Sequence, residues 1–322
     1  MKKSWILVAW IVTTIIVVLL VFRPIEKPKK IEAAKQPIQT IAQTNESSDL
    51  WIPRTIVFLN RPLFLEGELK ERLIQELKIE VKRYKSGGLD LVKNDIWLSY
   101  IGNQIKKTDI PLDFIYLPII ESSMNPCIES SMGARGYWQF MPTTALHYKL
   151  KIEKPYLDER CDPIKSTDAA IRHLNDLVKS FDDWTASLGG YNMDPAALKE
   201  AIKQENTNNF YNLKTIPKET QRFPFRLMAT KLIFENPEKY GFSKRDWVSE
   251  TYYEKWEILK ISLKIDAESM TIDEIVQGLK ELYPDWDSPK FTSDFEKYNP
   301  HILDNLPRGR YKAYLVKRNG TS

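Results

Sequence analysis

An uncharged, strongly apolar run near the start of the 322-residue chain extends from Ser4 to Phe22. As an α-helix rising about 1.5 Å per residue, this run would nearly span a bilayer core about 30 Å thick. Arg23 and Pro24 follow without a small-x-small cleavage site, which favours an uncleaved anchor over a signal peptide. Basic residues flank both ends, so the positive-inside rule leaves the orientation open. We predict a transmembrane anchor over residues 1–22 with the bulk of the chain outside the cytoplasm; processing and the reverse topology are the alternatives.

The composition of the whole chain is that of a globular protein. Apolar residues make up 43% and charged residues 28% of it, which is the usual balance for a folded domain. The formal charge of +4 is the small difference between 47 basic and 43 acidic residues. Nucleic-acid-binding proteins concentrate basic residues on one face, so this thin excess argues against a nucleic-acid partner.

Two cysteines, Cys127 and Cys161, are present together with three histidines, and none of them forms a CxxC or Cys/His metal-binding pattern. We therefore expect neither a metal site nor a cofactor. In an oxidising compartment the two cysteines can form a disulfide. Two free buried thiols are the alternative, because sequence does not give the distance between the two residues.

Composition and periodicity divide the rest of the chain. Residues 23–50 lack aromatic side chains and are rich in polar ones, which cannot bury enough apolar surface to order a segment. We predict a disordered tether there. Apolar residues then recur at helical spacing from about Glu68 to Asn236. Residues 51–245 are therefore predicted to form a mainly α domain with an N-terminal helical extension.

The pattern changes again in residues 246–322. Two stretches that favour β-strands, Trp256 to Ile265 and Tyr311 to Val316, flank a helix predicted from Ile272 to Leu282. The natural interpretation is a small α+β module at this end of the chain.

Glu121 is the most informative ionisable residue. It closes a strongly apolar segment, Pro111 to Ser123, in which Pro118 implies an early turn or a kink. Desolvation in such a segment raises the pKa of a carboxylic acid towards the range useful for donating a proton near neutrality. A glutamate at a helix end is more often a solvated charge, so the setting of Glu121 alone is a weak indication of catalysis.

The residues that follow Glu121 strengthen the indication. Asn125-Pro126 breaks the helix, and Gly133 and Gly136 allow tight passage of the backbone. The run from Tyr137 to Met141 then supplies flat apolar surface with one amide group. Sugar rings are bound by this mixture, because aromatic faces cover their C–H surfaces while amides pair with their polar substituents. Phe140 is the exception, since we expect its side chain to lie in the core.

Further motifs extend this pattern along the chain in a fixed order. They are Pro111–Ser122, Gly133–Pro142, Asp158–Thr167, Tyr191–Asn192 and Pro217–Thr220. In order and spacing these motifs resemble the soluble-lytic-transglycosylase-like domain of peptidoglycan lytic transglycosylases, and most of all the membrane-bound type D branch. The likeness covers about residues 95–241. It implies a mainly α, lysozyme-like catalytic domain.

The resemblance also implies roles for single residues. Glu121 corresponds to the family's sole catalytic carboxylate. The family further uses a serine at the reacting centre, a glutamine and a methionine that contact the glycan, and a tyrosine and an asparagine that face the glutamate. These substrate-binding residues correspond to Ser130, Gln139, Met141, Tyr191 and Asn192.

The reaction that the resemblance implies needs one carboxyl group, whereas most glycosidases need two. Glu121 would protonate the glycosidic oxygen between N-acetylmuramic acid and N-acetylglucosamine, and would then accept the proton of the muramyl C6 hydroxyl as that hydroxyl closes onto C1. The expected partner is the glycan strand of peptidoglycan, and the expected product is a 1,6-anhydromuramyl end.

Two alternatives stay open. Met193-Asp194 stands where the family usually has Ala-Gly, and the added carboxylate could lie near the cleft. A lysozyme-like hydrolase on the same fold would use Glu129 or Asp194 as its second carboxylate. An inactive glycan-binding scaffold is the other alternative.

The predicted module at residues 246–322 looks faintly like a degenerate lysin motif, a glycan-binding module that often accompanies such catalytic domains. A structural extension that packs against the catalytic domain is the alternative.

Overall fold

The computed structural model describes residues 50–88, 96–243, 256–286 and 290–318. All of them belong to one compact unit that runs from Thr44 to Ser322. The predicted anchor at residues 1–22, and all but the last residue of the predicted tether at 23–50, lie outside the described residues. Within the described ranges, no helix combines the length and the apolar character needed to cross a membrane.

Helices dominate the part of the chain before residue 243. A short hairpin of β1 (Thr55–Phe58) and β2 (Arg61–Phe64) comes first. The helices that follow are α1 (Gly67–Arg83), α2 (Ile96–Ile105), α3 (Leu117–Ser122), α4 (Pro142–His147), α5 (Pro163–Phe181), α6 (Trp184–Asn192), α7 (Pro195–Gln204) and α8 (Lys218–Glu235). A two-residue hairpin of β3 (Ile152–Glu153) and β4 (Leu157–Asp158) precedes α5. The prediction of a mainly α fold is confirmed, and the structure adds the two short hairpins, which the sequence did not predict.

The segment before α3 shows the effect of its proline. A 3₁₀ turn over Leu112–Tyr116 leads into α3, and Pro118 lies in the first turn of that helix, where its missing N–H costs no hydrogen bond. Leu117, Ile119 and Ile120 are each at most 4% exposed. The predicted early turn is therefore present, and it seats the short helix inside the core.

Helix α8 packs along α1, and their interface contains ion pairs. Glu76 and Glu80 of α1 are 3% and 2% exposed. Glu76 pairs with Arg222, whose Nη2 lies 3.1 Å from its carboxylate. Glu80 pairs with Arg83 of its own helix at 2.6 Å, and Nε of Arg226 on α8 lies 3.8 Å from it. Buried carboxylates need such partners, because an unpaired charge in the core costs several kcal/mol.

The end of the chain forms a strand–helix–helix–strand unit, which we call the C-terminal module. It comprises β5 (Trp256–Met270), α9 (Ile272–Leu282), α10 (Phe291–Tyr298) and β6 (Leu306–Arg318). β5 and β6 pair antiparallel, with Ile258 opposite Val316 and Leu263 opposite Tyr311. The sequence predicted the two strands and α9 but missed α10.

The C-terminal module is joined to the helical part by buried hydrogen bonds. The Tyr314 hydroxyl donates to the Asp162 carboxylate at 2.8 Å. The same carboxylate caps α5 by accepting from the backbone N–H groups of Ile164 and Lys165, each at 2.9 Å. Backbone bonds from Asp158 N to His301 O and from Leu303 N to Tyr156 O continue the junction. These contacts fit the structural-extension alternative, while the predicted boundary at residue 245/246 lies outside the described residues.

The Tyr314–Asp162 bond gives a stability prediction. Tyr314→Phe removes one donor from a fully buried carboxylate, so we expect the free energy of unfolding to fall by about 1.5–3 kcal/mol, the range for hydrogen bonds to charged groups. Tyr311→Phe is the matched control, because the Tyr311 hydroxyl donates to a neutral acceptor, Pro307 O. Its expected loss is about 0.5–1.5 kcal/mol. Denaturant unfolding measures both, and equal losses would contradict the importance given to Asp162.

Candidate active site

Glu121 lies in the last turn of α3, where the helix is forced to stop. Ser123 and Met124 adopt positive φ angles of 54° and 60°, which end the helical path. The hydroxyl of Ser122 donates to Pro118 O at 2.8 Å and to Tyr137 O at 3.0 Å. The residue beside Glu121 is thus tied to the loop that carries the predicted glycan-contacting residues.

The environment of Glu121 raises its pKa. The side chain keeps partial solvent access, yet burial dominates and raises the pKa to about 7, opposed by the positive charge of Arg226 and reinforced by the negative charge of Glu219. A carboxyl with this pKa is a mixture of acid and base forms at neutral pH. That property suits a group that must first donate and then accept a proton.

Arg226 is held beside Glu121 by its own contacts. Its Nη2 donates to Ile120 O at 3.0 Å, and its Nε lies 3.8 Å from the buried Glu80 carboxylate. Arg226 and Glu219 both belong to α8. Neither residue is predicted from the sequence to have a role, although the Pro217–Thr220 motif marks the start of this helix.

Tyr191 and Asn192 occupy the last turn of α6. The Tyr191 hydroxyl donates to Trp138 O at 2.7 Å. Burial first, and then the charge of Glu121, raise the pKa of Tyr191 well above its usual value, so the phenol stays protonated. Its role opposite the glutamate stays a prediction. The Asn192 Oδ1 accepts from the hydroxyl of Thr220 at 2.8 Å. This bond leaves the amide NH₂ of Asn192 as its available donor edge.

The loop from Ser123 to Met141, which we call the fastened loop, is held in place by covalent and hydrogen-bonding contacts. Cys127 and Cys161 are joined by a disulfide, with their Cα atoms 5.0 Å apart. Gly136 has φ of 86°, and a Cβ there would lie 1.9 Å from Arg160 O, so only glycine fits. The buried Arg160 guanidinium donates to Gly133 O at 2.7 Å and to Phe140 O at 3.2 Å.

The three other predicted substrate residues lie on this loop. Ser130 Oγ accepts from Ala134 N at 3.0 Å. Gln139 has a positive φ of 49°, and its Nε2 donates to Gly136 O at 2.9 Å. Met141 is 40% exposed, as a residue that contacts a ligand must be. Their glycan contacts stay predictions, whereas the expected core position of Phe140 is confirmed by its 2% exposure.

The carboxylates considered for a hydrolase have other partners. Glu129 is bound by Arg135 at 2.7 Å and by Lys154 at 3.2 Å, and the hydrogen bond from Lys154 is the main reason that its pKa is lowered. Asp194 caps α7, accepting from Ala197 N at 2.8 Å. Neither contributes to the pKa shift of Glu121, while Glu219 does.

Comparison with known proteins gives a family match for part of the chain. Residues 99–214 match the family model "Transglycosylase SLT domain". This range includes Glu121, the fastened loop and the Tyr191–Asn192 pair. The resemblance described from the sequence is confirmed over this range.

Two curated relatives match parts of the chain. "Membrane-bound lytic murein transglycosylase D" of Escherichia coli (strain K12) is 32% identical over 189 residues, which are 55% of this chain and 41% of that protein. "Putative tributyltin chloride resistance protein" of Alteromonas sp. (strain M-1) is 34% identical over 123 residues, or 37% of this chain and 59% of that protein. The chain thus spans about two fifths of the first relative and three fifths of the second.

Among solved structures, the 70 kDa soluble lytic transglycosylase of Escherichia coli is 18% identical. The overlay covers 54% of this chain and 31% of that one with a TM-score of 0.38.

The opposed charges around Glu121 give a direct electrostatic prediction. Glu219→Gln removes a negative neighbour and should lower the pKa of Glu121 from about 7, whereas Arg226→Gln removes a positive neighbour and should raise it. Glu200→Gln changes an exposed carboxylate on α7 and serves as the control with no expected effect. Carbon NMR titration of the Glu121 carboxyl group measures all three. Shifts of the same sign for Glu219→Gln and Arg226→Gln would refute this description of the site.

Proposed function

We propose that this chain, which carries a transglycosylase SLT domain over residues 99–214, is a peptidoglycan lytic transglycosylase. It cleaves the β-1,4 bond between N-acetylmuramic acid and N-acetylglucosamine and leaves 1,6-anhydromuramyl ends. The observation that carries the proposal is Glu121, a single carboxyl group at the end of a buried helix with its pKa raised to about 7. The match to a lytic murein transglycosylase supports the same conclusion.

In the first step Glu121 acts as the acid. Its proton passes to the glycosidic oxygen as the bond from that oxygen to the muramyl C1 breaks. The neighbouring acetamido group stabilises the positive charge that develops at C1. Arg226 stabilises the carboxylate form of Glu121 that this step produces. Its positive charge lowers the pKa of Glu121, whereas burial raises that pKa.

In the second step the same group acts as the base. The Glu121 carboxylate accepts the proton of the C6 hydroxyl while the oxygen of that hydroxyl bonds to C1. Glu121 is then protonated again, and no water has been consumed. Acid–base assistance of this kind contributes about 10²–10⁴ in rate, so positioning of the glycan must supply the rest.

We assign the positioning of the glycan to two sets of residues, one on α6 and one on the fastened loop. Tyr191 and Asn192 present a protonated phenol and an amide from α6. Ser130, Gln139 and Met141 present polar and apolar contacts from the fastened loop. Each of these contacts can be stronger in the transition state than in the bound substrate, which is the condition for catalysis.

A hydrolase is the second candidate, and the coupling between Glu121 and Glu219 is the observation that favours testing it. Glu219 is an exposed residue in the first turn of α8. A second carboxylate near the acid could activate a water molecule and give a reducing end. In the proposed transglycosylase Glu219 only tunes the pKa of Glu121, so its removal leaves activity in place.

The proposal includes a location outside the cytoplasm. The predicted anchor over residues 1–22, with its apolar run from Ser4 to Phe22, would hold the chain in a membrane, and the relative from Escherichia coli is described as membrane-bound. The Cys127–Cys161 disulfide suits an oxidising compartment. The C-terminal module stays a candidate glycan-binding module of the lysin-motif kind.

Digestion of purified peptidoglycan followed by mass spectrometry tests the reaction. The chain should release muropeptides that are lighter by one water and resist borohydride reduction. Glu121→Gln should abolish release and keep the unfolding temperature, because it removes the proton donor but little volume. Glu219→Gln should keep the anhydro product. Reducible ends that disappear in Glu219→Gln would establish the hydrolase instead, and intact activity in Glu121→Gln would reject both candidates.

The bond from Thr220 to Asn192 gives a kinetic prediction. Thr220 is 2% exposed, and Thr220→Val keeps its shape but removes the donor that orients the Asn192 amide. We expect kcat/KM to fall about fivefold to tenfold, the equivalent of one hydrogen bond, with little change in stability. Thr220→Ser keeps the hydroxyl and should retain most of the activity. Equal losses in the two variants would show that Thr220 acts only through packing.

A further inference from the structure

A concave site lies where the C-terminal module meets the helical part. It is a cavity of about 330 Å³ whose lining includes Lys151, Glu159, Lys165, His301, Arg310 and Lys312. The catalytic glutamate and its partners Tyr191, Arg226 and Glu219 are not part of this lining. We call it the junction cavity.

The junction cavity is lined by more cationic side chains than carboxylates. Glu159 is 3% exposed and is already used, since it pairs with Lys165 and accepts from Lys151 N. Lys312 Nζ donates to a neutral hydroxyl, that of Ser262, at 2.6 Å. Arg310 is exposed and forms no ion pair with a described carboxylate. The cavity therefore offers a fork of guanidinium donors and an ammonium group to an anion.

His301 adds a buried polar atom without a partner. The residue is 1% exposed, and its Nε2 lies 2.9 Å from Lys312 O, so this nitrogen carries the proton and donates. Its Nδ1 is left as an acceptor that finds no hydrogen bond among the described residues. Unpaired buried acceptors are costly. A ligand that brings an N–H group next to its anionic group would satisfy Nδ1.

The walls of the junction cavity are fixed before any ligand binds. The backbone bond from Asp158 N to His301 O measures 3.0 Å, and the bond from Leu303 N to Tyr156 O measures 2.8 Å. The buried Tyr314–Asp162 bond lies in the same junction. A site held in this way loses little conformational entropy on binding.

Protection of the sheet edge is a simpler reason for cations on β6. Lysines on exposed strands discourage pairing with other chains, and this accounts for a charge on the strand. It does not account for Lys151 and Lys165, which come from two other segments, pair with Glu153 and Glu159, and line the same concavity as Arg310 and Lys312. The convergence of three segments favours ligand binding.

We propose that the junction cavity binds a carboxylate, with its adjacent amide N–H, of the peptides that substitute the glycan strands of peptidoglycan. The inference rests on the proposed function, because the substrate of that reaction carries such peptides. Arg310 and Lys312 bind the carboxylate, and His301 Nδ1 accepts the peptide N–H. The site holds the peptide-bearing strand while Glu121 cleaves elsewhere along the glycan.

Binding of the full chain to insoluble peptidoglycan tests this site. All variants carry Glu121→Gln, so that the substrate stays intact. Arg310→Gln/Lys312→Gln should weaken co-sedimentation with intact peptidoglycan about tenfold and leave binding to peptide-free glycan strands unchanged. The control Arg308→Gln/Lys264→Gln removes the same charge from exposed residues of the same sheet that do not line the cavity. It should bind both materials like the parent.

Each other outcome overturns the inference. Equal weakening on both materials would assign the cavity to the glycan itself or to stability, and thermal unfolding of each variant separates these two. Equal weakening by the control pair would indicate a general charge effect. A soluble stem tetrapeptide should compete with the binding, and inorganic phosphate at the same concentration should not; equal competition would assign the cavity to phosphate-bearing ligands.

Failure of the proposed function is distinguishable from failure of this site. If the unmodified chain releases no anhydro muropeptides, the reaction is wrong, while the binding comparison in the Glu121→Gln background still gives its own result.

Discussion

The fold around the site depends on one buried carboxylate, that of Asp162. It is fully buried and accepts from the first turn of α5 and from Tyr314 of the C-terminal module. Desolvation of a charge costs several kcal/mol, which only well-directed donors offset. Both the start of α5 and the docking of β6 must therefore be in place together. The adjacent residues Arg160 and Cys161 then hold the loop that faces the active site.

Burial has a different consequence at Glu121, where it raises the pKa of the carboxyl group. The Asp162 carboxylate accepts hydrogen bonds from two backbone N–H groups and from the Tyr314 hydroxyl. Glu121 is desolvated by burial, and the charge of Arg226 offsets only part of the effect, so its pKa reaches about 7. The two carboxylates differ in where their neighbouring donors point. Nη2 of Arg226 donates to the backbone oxygen Ile120 O. One protein thus contains a structural carboxylate and a second carboxylate that we propose as the catalytic group, and the donors around the two differ.

Sequence predicted the features that depend on local pattern and failed where tertiary contacts decide. Local pattern predicts the helical spacing, the early turn at Pro118 and the apolar setting of Glu121. Each of these depends on residues that lie close together in the sequence. Arg226 and Glu219 are missed because α8 meets α3 only in the folded chain, about a hundred residues away in sequence. Helix α10 is missed because Phe291 and Phe295 make a short, weak pattern that becomes clear only when both are seen buried against the module's sheet.

The buried junction also bears on how a C-terminal module can serve a catalytic domain. A binding module on a flexible linker raises the local concentration of substrate without selecting where the strand is cut. Here Tyr314, His301 and Leu303 fix the C-terminal module to the segment around Asp158 and Asp162. The distance from the junction cavity to Glu121 is then constant. A peptide bound at the cavity would place the glycan in a defined register at the active site, so the rigid docking converts binding into a choice of the bond that is cleaved.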